Sequence, residues 1–441
     1  VLRVCLAPIK ANIQARSTGD IDQTEEIAVK MITRRSALAG IGTAAFLLGH
    51  SRNSFAAKSY DVGVTDTEIK LGTTSPYSGP ASAYGVYGQA QTAYFEMVND
   101  RGGINGRKVN LISLDNAFSP PKAVEQTRKL VESDEVFAIA GFLGTPPNAA
   151  VSKYLNAKGV PSLFLTSGAV RFNDPKNFRW IVPFYPSYVA QGAVFGRYLL
   201  KEKPNGKIAV QYVNDDLGRD YLRGLKLGLG ARASEMVVKE VSHEMTEPTI
   251  ENQVVECKVS GADVFVQLSA SKFAAQAIRK VASLGWQPTF IINSNSASVG
   301  ATLVPAGLEN AKGLITARWE KDVTDLAEAD DGIKGYRAFA QKYMPRLNLD
   351  DATAIPGYNN AAAIEHVLKL CGDNLTRENL LKQATNLRDY TPPLILNGVK
   401  IYNSPDNYDA FHNMQLAQFD GKQWVGMGEM ISLEDLTIIS E

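Results

Sequence analysis

Glu68-Ile69-Lys70-Leu71-Gly72 starts a strand that runs into the turn Ser75-Pro76-Tyr77-Ser78-Gly79-Pro80. Ala90, Ala93, Tyr94, Met97 and Val98 then recur at helical spacing until Gly102-Gly103 stops the helix. Lys108–Leu114 alternates as a second strand. Ser119, with Pro120 and Pro121 behind it, opens a second helix whose inner stripe is Val124, Thr127, Leu130 and Val131. Val136–Ala140 and Pro161–Leu165 are continuous apolar runs, the mark of strands covered on both faces.

The plan repeats further along. Ile208–Val213 ends in Asn214-Asp215-Asp216 and leads to a helix over Tyr221–Leu229, stopped by Gly230. Met236–Val241 and Val264–Leu268 are strands, with helices near Glu247–Val259 and Phe273–Leu284. Thr289–Ile292 ends in Asn293-Ser294-Asn295-Ser296. Strands alternating with helices of this length predict parallel sheets with right-handed crossovers. The fold class is therefore α/β, two doubly wound, Rossmann-like lobes. A strand over Gly313–Trp319 and helices over Asp331–Tyr343, Tyr358–Cys371 and Arg377–Asn386 read as returns between them. Met414–Phe419, the turn Asp420-Gly421 and Gln423–Met427 close the chain as a hairpin.

With 441 residues, 45% apolar and 21% charged, the chain is large enough for two buried cores. Lys plus Arg equals Asp plus Glu at 46 each, which gives no support for a nucleic-acid footprint. Three cysteines are too few for a disulfide framework. Cys5 precedes the export signal. Cys257 and Cys371 read as two separate thiols, with a bridge between them left open.

The N-terminus reads as an address. Thr33-Arg34-Arg35-Ser36-Ala37-Leu38 is a twin-arginine pattern, followed by apolar residues to Leu48 and a small-residue cleavage site at Ser54-Phe55-Ala56. The apolar run falls short of the ~20 residues that span a bilayer. Residues 31–56 are thus expected to be a signal peptide, with Met31 as the working start and residues 1–30 as a gene-start artefact. The mature protein is expected to begin near Ala57, in the periplasm. Gly40-Ile41-Gly42-Thr43-Ala44-Ala45 matches a loose dinucleotide fingerprint, but no strand precedes it, and it lies inside the signal.

In doubly wound sheets, ligands bind beyond the carboxyl ends of the strands. Four such ends here carry small polar turns: 75–79, 141–145 (with Gly144 and Thr145), Thr166-Ser167-Gly168, and 293–296. The helices that follow offer N–H groups and partial positive charge to a carboxylate. Each turn taken alone reads as a helix cap; four in register argue for a shared cleft. Catalytic sets are missing. His50, His243, His366 and His412 fall in no triad or metal spacing, and neither a phosphate loop nor G-x-S-x-G occurs. No enzyme, metal or cofactor is expected. Asp215-Asp216 reads as the cap of a helix beginning at Gly218.

Ile69-Lys70-Leu71-Gly72, Tyr77-Ser78-Gly79-Pro80 and Ala83-Tyr84-Gly85 resemble the leucine/isoleucine/valine-binding family of periplasmic receptors for ABC importers, which have the type I periplasmic binding protein fold. Arg101-Gly102-Gly103-Ile104-Asn105-Gly106-Arg107, Gly159-Val160-Pro161 and Asn214-Asp215-Asp216-Leu217-Gly218 extend the resemblance over about residues 66–430. It implies two lobes joined by three crossings, set here near Phe184–Tyr188, Gly313–Glu320 and Tyr390–Leu396. Lobe 1 is expected over 57–185 plus 318–392, and lobe 2 over 186–317 plus 393–441. It further implies a ligand carboxylate held by Thr145 and by Thr166, Ser167 and Gly168, with Tyr84 as the aromatic over the ligand and Gly144 beside it in the site. Tyr188, Asn214, Leu217, Asn293, Ser294 and Asn295 complete the expected site.

Two departures matter. The family pairs the ligand's ammonium with an acid where this chain has Asn293-Ser294-Asn295, and Leu217 replaces an aromatic. An ammonium buried without a charged partner is costly. The expected ligand is thus a small carboxylate, aromatic or short aliphatic. Leucine, isoleucine or valine is the alternative, with Asp215 or Asp216 as the ammonium's partner. Expected partners are a membrane permease and its ATPase, with the chain a monomer. A ligand sensor for a signalling system is the rival from another class.

Overall fold

The computed structural model describes residues 58–323 and 330–436. The twin-arginine pattern, Met31, the Gly40–Ala45 match and Cys5 lie outside the described residues. The strands are β1 (Ser59–Tyr60), β2 (Glu68–Ser75), β3 (Lys108–Asp115), β4 (Ala138–Ala140), β5 (Ser162–Leu165), β6 (Ile181–Pro183), β7 (Ile208–Val213), β8 (Val237–His243), β9 (Val264–Leu268), β10 (Thr289–Ile292), β11 (Ile315–Arg318), β12 (Asn374–Leu375), β13 (Asn413–Phe419) and β14 (Trp424–Ser432).

They build two large sheets. The first is parallel, in the order β3-β2-β4-β5-β6; the second runs β14-β13-β11-β10-β9-β7-β8. In the second, β8, β7, β9, β10 and β11 are parallel, and β13 and β14 add an antiparallel edge. Parallel strands need helices on both faces, which is why β4, β5 and β9 are mostly apolar and buried at every residue. The expected doubly wound α/β class is what the chain adopts. β1 and β12 form a separate two-stranded pair.

Local chemistry set several boundaries apart from the expected ones. The helix expected over Tyr221–Leu229 spans Asp216–Leu229, because the Asp215 carboxylate caps it by accepting from the Leu217 and Gly218 N–H groups. Asp215 is thus the cap, while Asp216 is the first helical residue and pairs with Arg171. The helix expected from Glu247 begins at Glu251, beyond Pro248. One helix, Tyr188–Glu202, escaped the sequence reading altogether. It is buried nearly all round, so it lacks the polar face that periodicity detects. Gly192 and Gly196 let it lie directly on the backbone of the helix Asp216–Leu229.

The chain passes between the sheets at 184–187, at 319–322 and after the helix Arg377–Ala384. Two of these passages pair with each other. Glu320 and Ile395 form an antiparallel bridge, flanked by Lys321 N–H to Leu394 O at 2.8 Å and Leu396 N–H to Trp319 O at 2.9 Å. Asn359, on the helix Ile355–Cys371, clamps both strands of this ribbon. Its Oδ1 accepts from Leu394 N–H, and its Nδ2 donates to Glu320 Oε1. The segment that follows packs on the first sheet: Tyr408 donates its hydroxyl proton to Arg179 O, and Phe411 lies against Phe184. Cys257 and Cys371 are both buried free thiols. Among the described residues no helix is long and apolar enough to cross a membrane.

Candidate functional site

The carboxyl ends of the two sheets face one another. On the first sheet, β4 and β5 end side by side. Leu143 bridges Thr166, and Thr166 O accepts from Gly144 N–H. Gly144 has φ of 105°, and a Cβ there would stand 2.6 Å from the Phe118 ring, so only glycine makes this turn. The turn delivers Thr145 to the start of the helix Thr145–Lys158, where its hydroxyl lies 2.7 Å from Ser167 Oγ. Thr166 Oγ1 lies 2.6 Å from the Tyr87 hydroxyl, and Gln91 supports Tyr87 from behind. Pro146 and Pro147 fill the first turn of the helix and carry no N–H. The helix therefore presents fewer donors than an ordinary N-terminus, and the hydroxyls carry more of the polarity on this wall.

The second sheet supplies a different wall. Asn293 is fully buried, and its Oδ1 accepts from Ser269 N–H. Ser294 donates to Gln191 Oε1 at 2.7 Å. The Tyr221 hydroxyl sits 2.6 Å from the same oxygen, 3.0 Å from Ser294 Oγ and 3.2 Å from Asn295 Oδ1. Tyr188 stacks on Tyr221, and its hydroxyl accepts from Asn295 Nδ2. These polar groups are largely committed to one another.

Tyr84, at the start of the helix Gly85–Asp100, spans from the first wall to the second. Its oxygen accepts from Ser271 N–H at 2.9 Å, and its proton reaches Asn295 O at 3.1 Å. Burial raises its pKa, so it serves as a neutral hydroxyl. Further ties join the two sheet units: Arg171 with Asp216 at 2.7 Å, Val170 N–H with Asp220 Oδ2 at 2.9 Å, and Ser298 Oγ with Asp351 Oδ1 at 3.2 Å.

Two adjoining cavities, of about 110 Å³ and about 60 Å³, lie between the walls, and Tyr84, Leu143, Thr166 and Asn295 border both. A water needs ~10–15 Å³ of such space, so the pair has room for a small organic ligand. The smaller is walled by Gly144, Thr145, Tyr188 and Leu217, together with Phe118, Met245 and Asp215. The larger reaches Ser294, Tyr87, Tyr185 and the crossing segment 318–322.

Of the residues expected at the site, Tyr84, Gly144, Thr145, Thr166, Tyr188, Leu217, Ser294 and Asn295 line this space. Ser167 stands behind Thr145, and Gly168 is packed against Tyr188 and Pro186. Asn293 sits under the second wall. Asn214 faces elsewhere, bonded to Glu244 and Arg219. Sequence reasoning passed over Glu320, Tyr185 and Trp319, which reach the cavity from the crossings. No strand-end turn flags them; the signals were the crossings placed over Phe184–Tyr188 and Gly313–Glu320.

Three carboxyls border the space: Asp215 on the smaller cavity, Glu320 and Asp322 on the larger. Burial pushes Asp215 up to about 6 against the pull of the Gly218 and Leu217 N–H groups. Burial pushes Glu320 up to about 7, against the Asn359 hydrogen bond and the charge of Arg318. Among the described residues no group of His, Cys, Asp and Glu is arranged to hold a metal. The arrangement can enclose a small molecule and hydrogen-bond it.

Residues 68–423 match a family model described as periplasmic binding protein. A curated relative, an amino acid binding protein of Pseudomonas aeruginosa, is 24% identical over 255 residues, 56% of this chain and 66% of its own length. A branched chain amino acid ABC transporter structure from Thermus thermophilus with bound valine superposes with a TM-score of 0.74 at 15% identity. It covers 85% of this chain and all, 100%, of that one. A solute binding protein of an R. palustris ABC transporter, in complex with benzoate, gives 0.69 at 20% identity, over 83% and 98%.

Proposed function

Because this chain belongs to the periplasmic binding protein family, with the type I fold and leucine/isoleucine/valine-type relatives, we propose that it is the substrate receptor of an ABC importer for a small carboxylate. The observation that carries this reading is the enclosed space between two strand-end walls, with the Thr145 and Thr166 hydroxyls on one side and aromatic rings around the rest. Hydroxyls and a helix start suit a carboxylate; Tyr84, Tyr185, Trp319 and Phe118 suit an apolar body. The lobes are taken as 57–185 plus 318–392 and 186–317 plus 393–441, with the stretch at Tyr408–Phe411 docked back on the first sheet; they close about the crossings, and the ties from Tyr84 to Ser271 and from Arg171 to Asp216 belong to the closed state. Export by the twin-arginine route and delivery to a permease and ATPase complete the reading.

Valine and benzoate in the two structural relatives mark the range of ligands to test. The experiment is thermal unfolding of the purified chain, freed of co-purified ligand, with leucine, isoleucine, valine, benzoate and short aliphatic acids. A ligand at 100 times its dissociation constant adds about 2.7 kcal/mol of stability. A clear rise in the midpoint with at least one carboxylate is expected. No rise with any of them, at millimolar concentration, would remove the carboxylate reading.

A further inference from the structure

Glu320 lies on the crossing ribbon, partly buried, with its side chain on the wall of the larger cavity. Asn359 fixes it. Leu394 N–H must bond to the amide oxygen of Asn359, which leaves Nδ2 to face Glu320 Oε1 at 2.9 Å. Oε2 has no hydrogen-bond partner among the described residues, and Glu320 has no ion-pair partner there. Two cations line the same cavity, and both turn to other groups: Arg318 directs its guanidinium to the carbonyl oxygens of Trp424 and of Glu320 itself, and Lys321 pairs with Asp330 at 2.7 Å. One oxygen is therefore oriented by the protein, and the other is left to the cavity.

Thr166 and Tyr87 of the hydroxyl wall line the same cavity, and Thr145 lines the adjoining one. Tyr87 links the two poles: it bonds Thr166, and the charge of Glu320 acts on its hydroxyl. A ligand carboxylate at Thr145 and Thr166 thus sits in the field of a second carboxylate. Like charges at that range in a partly dry site repel strongly. A ligand that also carries an ammonium turns the repulsion into an ion pair. The polar atoms of Asn293-Ser294-Asn295, by contrast, are largely committed to Gln191, Tyr188, Tyr221 and Ser269.

We infer that Glu320 pairs with an ammonium group of the ligand, so that the cavity selects a small amino acid over the same molecule without its amine. The inference rests on the small-carboxylate reading and narrows it. It places charge selection on the crossing between the sheets, not on the strand ends of the second sheet.

Calorimetric titration with two matched pairs tests it: leucine against 4-methylpentanoate, and phenylalanine against 3-phenylpropanoate. In the unaltered protein the amino acid of at least one pair is expected to bind ~10- to 100-fold tighter than its partner, the usual worth of a hydrogen bond to a charged group. In Glu320→Gln, which keeps the oxygen that accepts from Asn359, that preference is expected to collapse toward unity. A merely structural role would weaken both members alike and leave the ratio standing. Equal or tighter binding of the deaminated acid in the unaltered protein overturns the inference and leaves the carboxylate reading intact. A preference that survives in Glu320→Gln overturns it as well. Binding of no member of either pair sinks this inference and counts against the carboxylate reading, which the wider acid panel then decides. The comparison in the unaltered protein stands whether or not the variant folds.

Discussion

The two sheets share one topology at their carboxyl ends and use it differently. At the first, small turns after β4 and β5 set hydroxyls on the cavity wall, with Thr145 backed by Ser167 and Thr166 by Tyr87. At the second, Asn293, Ser294 and Asn295 occupy the matching position, and their polar atoms are taken up by Ser269, Gln191, Tyr188 and Tyr221. One set of strand ends is available to a ligand; the other is largely spent on holding the helix Tyr188–Glu202 against its neighbours. A strand-end position is thus an opportunity for binding, and the partners around it decide whether it is used.

The largest effect should come from that helix contact. A Cβ on Gly224 would stand 2.0 Å from Val189 O, a backbone atom that cannot swing away. Gly224→Ala should therefore cost about 3 kcal/mol or more, at the upper end for overpacking. On the first-sheet side, Gly335 lies inside the helix Asp331–Tyr343 with nothing within 4 Å of a built Cβ. Gly335→Ala should stabilise by roughly 0.5–1 kcal/mol through helix propensity alone. Urea unfolding of the two variants checks both signs. A mild Gly224→Ala would mean that the two helices separate more easily than their contact implies.

A crossed pair of substitutions sharpens the contrast between the walls. Tyr221→Phe removes the hydroxyl shared among Gln191, Ser294 and Asn295, and should lower stability by about 1–2 kcal/mol with little change in ligand affinity. Thr145→Ala should do the reverse. Ser167 keeps its bond to Ala169 N–H, so stability changes little, while affinity for the carboxylate drops by about 1 kcal/mol or more. Unfolding and titration of both variants separate the two effects. Affinity unchanged in Thr145→Ala would remove the first wall from the site.

Much of the fold was legible because parallel strands covered on both faces must be continuous apolar runs, and their helices must carry a stripe. β4, β5, β7, β9 and β10 declare themselves in this way, while β2 and β3 show by alternation. The helix Tyr188–Glu202 did not, since burial on every side erases the stripe, and the contact that shapes it runs through glycines that look like helix breakers. At the site, the turns with Thr145 and Thr166 were legible from strand ends and small residues. Asn214 was misleading: its position after β7 is right, but Glu244 and Arg219 draw it away from the cavity. Glu320 was hidden because its place on the wall depends on pairing between segments some seventy residues apart, Trp319 to Lys321 with Leu394 to Leu396.

The smallest effect separates the two sheets by their response to pH. Asp115 ends β3 and Asp215 follows β7, so both stand at strand ends. Burial raises both, but at Asp115 it is outweighed by Lys122, by the Ser78 hydroxyl and by the Ala117 and Ser78 N–H groups, which hold the carboxyl well below the usual range. At Asp215 burial wins over the Gly218 and Leu217 N–H groups, and the carboxyl rises to about 6. The signs of linkage are opposite. Asp115 contributes stability that is present above its unfolded value, near 3.9, and is lost as pH falls through its depressed folded value. Asp215 binds more protons folded than unfolded between about 4 and 6, so stability falls as pH rises through that window. Asn is as good a cap as Asp, so Asp215→Asn should keep the helix start while removing the titration. Its melting temperature relative to the unaltered protein should climb from pH 4 to pH 6.5 and then level off. Asp115→Asn should lose ground over the acid range instead, from pH 2 to pH 5. A flat difference for Asp215→Asn would mean that its carboxyl stays ionised at the helix start, and that the second sheet's end is wetter than its packing implies.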